Sequence, residues 1–183
     1  MHPPDDRYPE FLRNATTAYL ASGLDAGREV LRPIAGKIWN GLRRSHHLTS
    51  AATHVMRPTA GERAFSPTEA AKILRRDNFQ CRYCGADTVP KPIAVLLHSL
   101  FPAELPFHEH YLDGSMHPLF WTRVAEIDHI TPANRGGSWV DPLNRVTACV
   151  VCTTNRGDRT LHAWGVGSTS RSRDGTDWCR STP

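Results

Sequence analysis

The sequence predicts an α+β fold: a small domain of short strands and helices, with a helical N-terminal arm and a disordered C-terminal tail. Three observations predict it: a marked helix start at Ser66, two β-prone runs at residues 124–130 and 143–148, and a helix expected to begin close to Cys149. The chain has 183 residues, of which 39% are hydrophobic, enough for one small domain with arms at both ends. We accordingly divide it into an arm over residues 1–65, a domain over residues 66–166 with an insertion at 85–122, and a tail over residues 167–183.

The segment that starts at Ser66 carries the clearest helix signal. Ser66 can cap the helix, Pro67 suits the first helical position, and Glu69 can return a hydrogen bond to the backbone N–H of the cap. The apolar residues that follow recur with helical spacing. We therefore expect a helix to about Arg76, with one face on the core and with the basic side chains of Lys72, Arg75 and Arg76 facing outward.

The segments outside the central domain carry weaker signals. In the arm, which we expect to be partly helical or disordered, Ala-rich stretches at residues 15–24 and 26–42 favour helices, with breaks at Gly23, Pro33 and Gly36. The short basic run at residues 43–47 either contacts phosphates or forms a solvated face. The insertion is rich in proline, with a short helix expected at residues 93–100. From residue 165 onward the chain is rich in Gly, Ser, Arg and Asp, which predicts disorder.

Charge and hydropathy narrow the classes of function. The net charge of +4 and the sequence pI of about 9.0 suit a polyanionic partner such as nucleic acid. No run approaches the roughly 18 apolar residues that span a bilayer, and the N-terminus lacks the basic start and the apolar run of a secretion signal. The sequence therefore predicts a cytoplasmic protein without a membrane partner. In that reducing compartment, paired cysteines are interpreted as metal ligands before disulfides.

Four of the five cysteines form two Cys-x-x-Cys pairs, Cys81 with Cys84 and Cys149 with Cys152. A two-residue gap lets both sulfurs of a pair reach one tetrahedral ion, so the four thiolates predict a structural zinc (Zn²⁺) site. The 64 residues between the pairs would form a large loop closed by the ion. Two alternatives stay open: disulfide bonds, and a zinc module without catalysis, since a closed four-cysteine site has no position for chemistry. Cys179 lies alone in the tail, and we interpret it as an incidental thiol.

A second motif lies between the cysteine pairs. It consists of Glu126-Ile127-Asp128-His129-Ile130, then Arg135-Gly136-Gly137, then Asp141-Pro142-Leu143-Asn144. With the flanking cysteines, this order resembles the HNH endonuclease family, whose usual pattern is Cys-x-x-Cys, Asp-His on a strand, a Gly-Gly turn, an Asn, and Cys-x-x-Cys opening a helix. The resemblance implies the ββα-metal (HNH / His-Me finger) architecture, in which two strands and a helix hold one divalent cation with a zinc site beneath. It covers about residues 70–166, and the segments 117–121 and 160–165 look like a bacterial branch of the family.

The resemblance also implies roles for three residues. It makes His129 the general base, Asp128 a ligand of a catalytic Mg²⁺ or Mn²⁺, and Asn144 the residue that braces the loop bearing the base. These residue types suit phosphodiester hydrolysis, because imidazole titrates near neutral pH and hard cations prefer carboxylate oxygens. Taken alone, His129 is typical of a structural histidine and Asn144 of a turn. Because neighbouring strand residues point to opposite faces, we expect the strand to end or twist near residues 130–131.

One position departs from the family pattern. The family usually has His or Asn directly after the last cysteine, where it binds the catalytic metal, whereas this chain has Thr153. Asn155 cannot replace it on a regular helix, because a helix turns about 100° per residue and two residues carry the side chain to nearly the opposite side. The second ligand would then be a hydroxyl or water from Thr153, or would require a helix that starts late. The alternative function is therefore a zinc-stabilised nucleic-acid-binding module that has lost cleavage.

Three arginines, Arg135, Arg156 and Arg159, are candidates for contacts to phosphate, because guanidinium groups bind phosphate oxygens bidentately. For Arg156 and Arg159, a solvated, charged helix end is the alternative. The leading hypothesis is a metal-dependent DNA endonuclease, a hydrolase that binds the DNA backbone in a salt-sensitive way with little base readout. A protein-interaction module built on the same zinc site is a third, weaker hypothesis.

Overall fold

The computed structural model describes residues 7–39, 66–108, 110, 112 and 114–164. The basic run at 43–47 and the tail that contains Cys179 lie outside the described residues. The elements, in chain order, are α1 (Tyr8–Ser22), α2 (Leu24–Leu31), α3 (Pro67–Arg76), β1 (Val89–Pro90), α4 (Lys91–Leu100), α5 (Pro118–Arg123), β2 (Val124–His129), β3 (Arg145–Cys149) and α6 (Val150–Arg156). Two short 3-10 turns, Ala133–Arg135 and Pro142–Asn144, lie between β2 and β3. None of the described helices is long and apolar enough to cross a membrane.

The described residues form two compact units. The first contains the described parts of 7–39 and 89–124, and the second contains 66–88 and 125–164. Within the first unit, the backbone N–H of Gly36 donates to the carbonyl of Glu104 at 3.1 Å. The N–H of Trp39 likewise donates to the carbonyl of Met116 at 2.8 Å. Parts of the predicted arm and of the predicted insertion therefore pack together, a grouping that differs from the predicted division at residue 65.

The first unit is built on α1 and α2, which meet at a glycine. Gly23 has φ +88°, a conformation that glycine adopts without steric cost, so the chain turns there between the helices. α2 ends at Leu31, two residues before Pro33, which has no N–H to continue the helix. Helices are present in the predicted stretches 15–24 and 26–42, and they end next to the predicted breaks at Gly23 and Pro33, but α1 begins earlier than expected.

A buried histidine connects two segments of the first unit through hydrogen bonds. His117 Nε2 donates to the carbonyl of Ile34 at 2.7 Å, and Nδ1 accepts from the N–H of Leu119 at 3.1 Å, which caps α5. The ring of Tyr8 approaches edge-on, with centroids 5.6 Å apart. Burial lowers the pKa of His117 to about 4, against the hydrogen bond to Ile34, which acts to raise it. The neutral imidazole therefore satisfies both of its backbone partners.

The second unit begins with the predicted capped helix. Ser66 Oγ accepts from the N–H of Glu69 at 3.2 Å, and the Ser66 N–H donates to the Glu69 carboxylate at 3.0 Å, so the capping box is confirmed. At the other end, the N–H of Phe79 donates to the carbonyl of Leu74 at 2.8 Å, as in a Schellman motif. Ile73 is buried on the core side. The three basic side chains expected to face outward are exposed: Lys72, Arg75 and Arg76.

The two strands of the second unit confirm the predicted β-prone runs. β2 and β3 pair antiparallel, with Asp128 opposite Val146 and His129 opposite Arg145. β2 ends at His129, next to the predicted strand end. β3 starts at Arg145, slightly later than predicted, because residues 142–144 form a 3-10 turn. α6 follows β3 without a loop, so a β-hairpin and a helix stand in direct succession.

A buried carboxylate connects α3 to β3. Asp77 accepts from the N–H of Thr147 at 2.8 Å and from Nε and Nη2 of Arg76 at 3.0 Å each. Burial acts to raise the pKa of Asp77, but the hydrogen bonds from Arg76 and Thr147 outweigh it and hold the pKa below its usual value. Asp77 is therefore an ionised anchor for the strand that leads into the second cysteine pair.

Candidate metal centre and adjoining polar site

The first cysteine pair lies in a tight turn. The N–H of Gly85 donates to the carbonyl of Cys81 at 2.8 Å, and the N–H of Cys81 donates to Ala86 at 2.8 Å. Gly85 has φ +73°, which closes the turn. The N–H of Arg82 donates to the carbonyl of Thr147 on β3 at 2.9 Å. The turn therefore rests against the strand that ends at Cys149.

The second cysteine pair completes a cluster of four thiols. Cys149 ends β3 and precedes α6, whose first turn contains Cys152. The sulfurs of Cys81, Cys84, Cys149 and Cys152 lie within 4.8 Å of one another, and all four residues are buried. The Cys84 and Cys149 sulfurs are 3.9 Å apart, too far for a disulfide bond.

A tetrahedral zinc ion fits this cluster. With Zn–S bonds of about 2.3 Å, tetrahedral geometry requires sulfurs about 3.8 Å apart. The Cys84–Cys149 separation of 3.9 Å is close to this value and all four sulfurs lie within 4.8 Å of one another, and four buried sulfurs are the donor set of a closed structural site. The cluster is therefore compatible with structural zinc, as the two Cys-x-x-Cys pairs predicted. Apolar side chains of Val146, Ala148 and Ile130 pack against it.

Asp128 lies next to this cluster on β2 and is held by three donors. Its Oδ2 accepts from the hydroxyl of Tyr83 at 2.7 Å and from Nη1 of Arg156 at 2.5 Å. Its Oδ1 accepts from the backbone N–H of His129 at 2.9 Å. Burial and the Asp128 carboxylate raise the pKa of Tyr83, which therefore stays a hydrogen-bond donor.

His129 faces the loop between the strands. Its Nε2 lies 3.3 Å from the carbonyl oxygen of Trp139, and its ring meets the Trp139 ring edge-on, with centroids 4.9 Å apart. A carbonyl oxygen only accepts hydrogen bonds, so this contact requires the proton on Nε2. In the neutral ring the lone pair is then on Nδ1, the form that can accept a proton. Arg145, opposite His129 on β3, donates to the same carbonyl through Nε at 2.9 Å.

Asn144 bridges the two ends of this loop. Its Oδ1 accepts from the N–H of Thr131 at 2.8 Å, and its Nδ2 donates to the carbonyls of Thr131 at 3.0 Å and of Ser138 at 2.8 Å. Gly137 makes the close approach possible, because a Cβ there would lie 1.8 Å from the Thr131 carbonyl oxygen. Asn144 also ends the 3-10 turn Pro142–Asn144, so the bracing contact and the turn coexist. A part in catalysis stays a prediction.

Thr153 lies in a regular helix that starts directly after the second strand. Its Oγ1 donates to the carbonyl of Cys149 at 3.2 Å, a local bond within α6. α6 starts at Val150, directly after Cys149, so the helix does not start late. Asn155 is two positions further along the same helix, about 200° around its axis from Thr153. A hydroxyl or water from Thr153 is the second-ligand option that stays open.

The three arginines predicted to contact phosphate lie in different environments. Arg156 is only 1% exposed and binds Asp128, Tyr83 and the Ile130 carbonyl, so neither a surface phosphate contact nor a solvated helix end describes it. Its charge is buried because the carboxylate of Asp128 compensates it. Arg159 donates to backbone carbonyls at the end of α6, and Arg135 donates to the carbonyl of Asp158 at 2.9 Å. Both of these arginines are exposed.

A second cation, Mg²⁺ or Mn²⁺, has no preformed site in this arrangement. Among the described residues, the four cysteines are the one group of three or more His, Cys, Asp or Glu side chains that could hold a metal. Both oxygens of Asp128 already accept hydrogen bonds, and one faces the guanidinium of Arg156. The residues as placed therefore do not fit a bound hard cation.

The sequence motifs did not predict three residues of the site: Tyr83, Trp139 and Arg145. Tyr83 lies inside the first Cys-x-x-Cys pair, and a buried aromatic hydroxyl between metal ligands signals a nearby acceptor. Trp139 acts through its backbone, which no sequence pattern marks. Arg145 starts β3 and is buried, and its pairing with His129 follows from the strand register alone.

Comparisons with protein-family models, curated proteins and solved structures found no significant match to this chain.

Proposed function

We propose that this chain is an HNH-type, metal-dependent endonuclease that hydrolyses phosphodiester bonds of DNA. The observation that carries the proposal is the arrangement of His129 next to a braced loop. The Trp139 carbonyl selects the tautomer of His129, and Asn144 closes the loop on which Trp139 lies. A base oriented through its second ring nitrogen is the usual arrangement for proton abstraction by histidine. The succession of hairpin, helix and four-cysteine cluster supports the ββα-metal interpretation of the fold.

In the proposed reaction, Nδ1 of His129 accepts a proton from water. The water oxygen forms a bond to phosphorus, the bond from phosphorus to the leaving oxygen breaks, and that oxygen takes a proton from solvent. Charge that develops on the phosphate requires a cation nearby. Mg²⁺ or Mn²⁺ usually binds through one or two carboxylates together with substrate phosphates. Asp128 can serve as a ligand only when Arg156 no longer holds its carboxylate.

The exposed arginines supply the proposed contacts to DNA. Arg135 and Arg159 lie at the surface of the second unit, and both are held by backbone carbonyls. Guanidinium groups oriented in this way bind phosphates without reading bases, so binding falls as salt rises. Arg156 is removed from this set because it is buried.

Nicking of supercoiled plasmid by the zinc-loaded protein with Mg²⁺ or Mn²⁺ tests the proposal. His129→Ala should reduce the nicking rate about 10²- to 10⁴-fold, the usual contribution of a general base. His162→Ala is the matched control, because His162 is an exposed histidine of the same unit, and it should nick at the parent rate. Equal nicking by parent and His129→Ala would exclude His129 as the base.

A second candidate function, a zinc-stabilised nucleic-acid-binding module that no longer cleaves, is favoured by the ion pair of Asp128 with Arg156. The pair has an N–O distance of 2.5 Å and lies in the interior. Breaking a buried pair by withdrawing one partner costs about 3–5 kcal/mol, which the binding of a cation would have to offset. Thr153 stands where the HNH family has a stronger metal ligand, so a ligand at position 153 would offset little of the free-energy cost of breaking the ion pair.

The substitution Thr153→Asn discriminates the two candidates. If the parent binds DNA without nicking it and Thr153→Asn nicks, the parent is the binding module. If the parent already nicks, Thr153→Asn should change mainly the concentration of Mg²⁺ or Mn²⁺ needed for half-maximal nicking. Thr154→Asn, on the exposed side of the same helix, is the control and should leave both readouts unchanged.

A further inference from the structure

A buried arginine shares one carbonyl oxygen with the proposed base. Arg145 is 5% exposed and lies directly opposite His129 in the antiparallel pair of β2 and β3. Side chains of directly opposed residues project from the same face of a sheet. Arg145 therefore reaches the loop that His129 faces, and both side chains contact the carbonyl oxygen of Trp139.

The guanidinium of Arg145 binds that carbonyl with two of its nitrogens. Nε lies 2.9 Å from the Trp139 oxygen, and Nη2 donates to the same atom. Hydrogen bonds from a charged donor are stronger than those from a neutral one. The contact from Nε2 of the neutral His129 ring is longer, at 3.3 Å. Arg145 therefore determines where this oxygen points, and His129 follows it.

Arg145 is itself held in place by α3. Nη2 of Arg76 donates to the backbone carbonyl of Arg145 at 2.6 Å, and Nη1 of Arg76 donates to the carbonyl of Pro142 at 2.9 Å. The third nitrogen of the Arg145 guanidinium, Nη1, lies 3.9 Å from the carboxylate of Glu69. The main chain and the side chain of Arg145 thus both contact a helix that carries a full capping box. A guanidinium held at these points presents its donors to Trp139 in one orientation.

The burial of this arginine has a cost that packing alone does not explain. A charged group loses its hydration when it is buried, and a neutral carbonyl with a carboxylate at 3.9 Å compensates only part of that loss. All five residues of β3 are buried, so an apolar side chain would fill position 145 without this cost. The guanidinium is therefore explained by the carbonyl that it holds, the same one that selects the tautomer of His129.

We propose that Arg145 is a positioning residue for the general base: it fixes the Trp139 carbonyl so that Nε2 of His129 keeps its proton and Nδ1 keeps its lone pair. This inference rests on the proposed function, because it takes His129 as the base. In this role Arg145 acts through Trp139 and does not touch the substrate. Its loss should slow the chemical step and leave DNA binding nearly unchanged.

Nuclear magnetic resonance on the zinc-loaded protein tests the positioning without requiring activity. A histidine N–H gives a separate signal only when a hydrogen bond slows its exchange with water. The signal of His129 Nε2–H, assigned by its absence in His129→Ala, should be present in the parent and lost in Arg145→Met. Arg145→Lys, which can make one bond to the carbonyl, should keep part of it. Arg75→Met, which removes an exposed arginine of α3, is the matched control and should keep all of it.

Plasmid nicking supplies the second readout. Arg145→Met should lower the maximal nicking rate about 10- to 100-fold, while the DNA concentration for half-maximal rate changes by about twofold or less. Arg145→Lys should recover part of the rate, and Arg75→Met should nick at the parent rate. Zinc content and the backbone spectrum show whether each variant is folded. If Arg145→Met does not fold, Arg145→Lys decides the test, because it keeps the charge and should still weaken the Nε2–H signal and the rate.

Each result separates the positioning role from the alternatives. An unchanged Nε2–H signal in folded Arg145→Met, or in Arg145→Lys where only that variant folds, overturns the role and leaves the proposed endonuclease intact. A loss of stability with an unchanged rate per folded molecule shows that Arg145 is only structural, and it overturns the role as well. If His129→Ala nicks at the parent rate, the proposed function fails, and Arg145 then positions a histidine that is not the base.

Discussion

The two units of this chain stabilise their interiors in different ways. In the first unit the buried side chains are mostly apolar; its buried polar groups include the guanidinium of Arg123 and the neutral His117, whose two ring nitrogens are bonded to backbone. In the second unit, three buried charged groups share the interior with four thiols. These groups are Asp77, Arg145 and Arg156, with the half-buried Asp128 paired to Arg156.

This difference determines how much stability each unit loses when one interaction is removed. Apolar burial contributes about 1.5–3 kcal/mol for each large side chain, and the loss of one contact leaves the others in place. A buried charge costs several kcal/mol unless its partner is in position, so the polar network of the second unit depends on all its members at once. The thiol cluster holds both ends of that network, because Tyr83 lies in one cysteine turn and Arg156 follows the other pair on α6.

Removal of zinc should unfold the second unit and leave the first unit folded. Structural zinc sites contribute about 10–16 kcal/mol to folding in small zinc domains, more than a domain of this size can replace. We expect Cys152→Ser, or a strong chelator, to abolish hydrogen-exchange protection in residues 66–88 and 125–164 while α1 and α2 keep theirs. Cys179→Ser is the control, since Cys179 belongs to neither Cys-x-x-Cys pair. If the second unit keeps its hydrogen-exchange protection without metal, its polar interior does not depend on the thiol cluster.

Acid should lower the stability of the first unit through His117. His117 has a pKa of about 4 in the folded protein and 6.5 as its reference value, so only the unfolded chain takes up the proton between these values. The first unit therefore loses stability as pH falls from about 6.5 to about 4, by about 3 kcal/mol in total. The pKa of Asp77 is lowered from 3.8, so its contribution to the second unit is lost only below that pH.

Denaturant unfolding between pH 4 and pH 7 measures this effect, with hydrogen exchange to assign it to a unit. His117→Asn keeps a side chain that can cap α5 but does not titrate, so it should flatten the pH dependence of the first unit. The same slope in the parent and in His117→Asn would show that other groups cause it.

Loosening the loop between β2 and β3 should have the smallest effect on stability and a larger one on activity. Asn144→Ala removes three hydrogen bonds to Thr131 and Ser138 at a partly exposed position, so we expect a loss of about 1–2 kcal/mol in the free energy of unfolding. Nicking should fall more than stability does, because the Trp139 carbonyl no longer holds His129. Asn134→Ala removes one loop hydrogen bond, to Asp158, and is the control. Equal nicking by both variants would show that the brace does not serve His129.

Local signals in the sequence predicted the elements that depend on near neighbours. The capping box at Ser66 and Glu69 lies within four residues and formed as expected. Each Cys-x-x-Cys pair is local too, and the preference of thiolates for a shared ion predicted that the pairs would meet. The Asp-His sequence at the end of β2 followed from the β-prone run, since a strand of this length is bounded by polar and turn residues.

The sequence by itself thus determined a zinc-compatible α+β domain and the order of its motifs. Only the tertiary structure decided that Arg156 would neutralise Asp128 instead of facing solvent, because that pair joins residues 28 positions apart on a helix and a strand. It also decided that residues of the arm and the insertion would share one unit. In both cases the physical reason is the same: burial and pairing of distant groups depend on the geometry of packing, which no local spacing encodes.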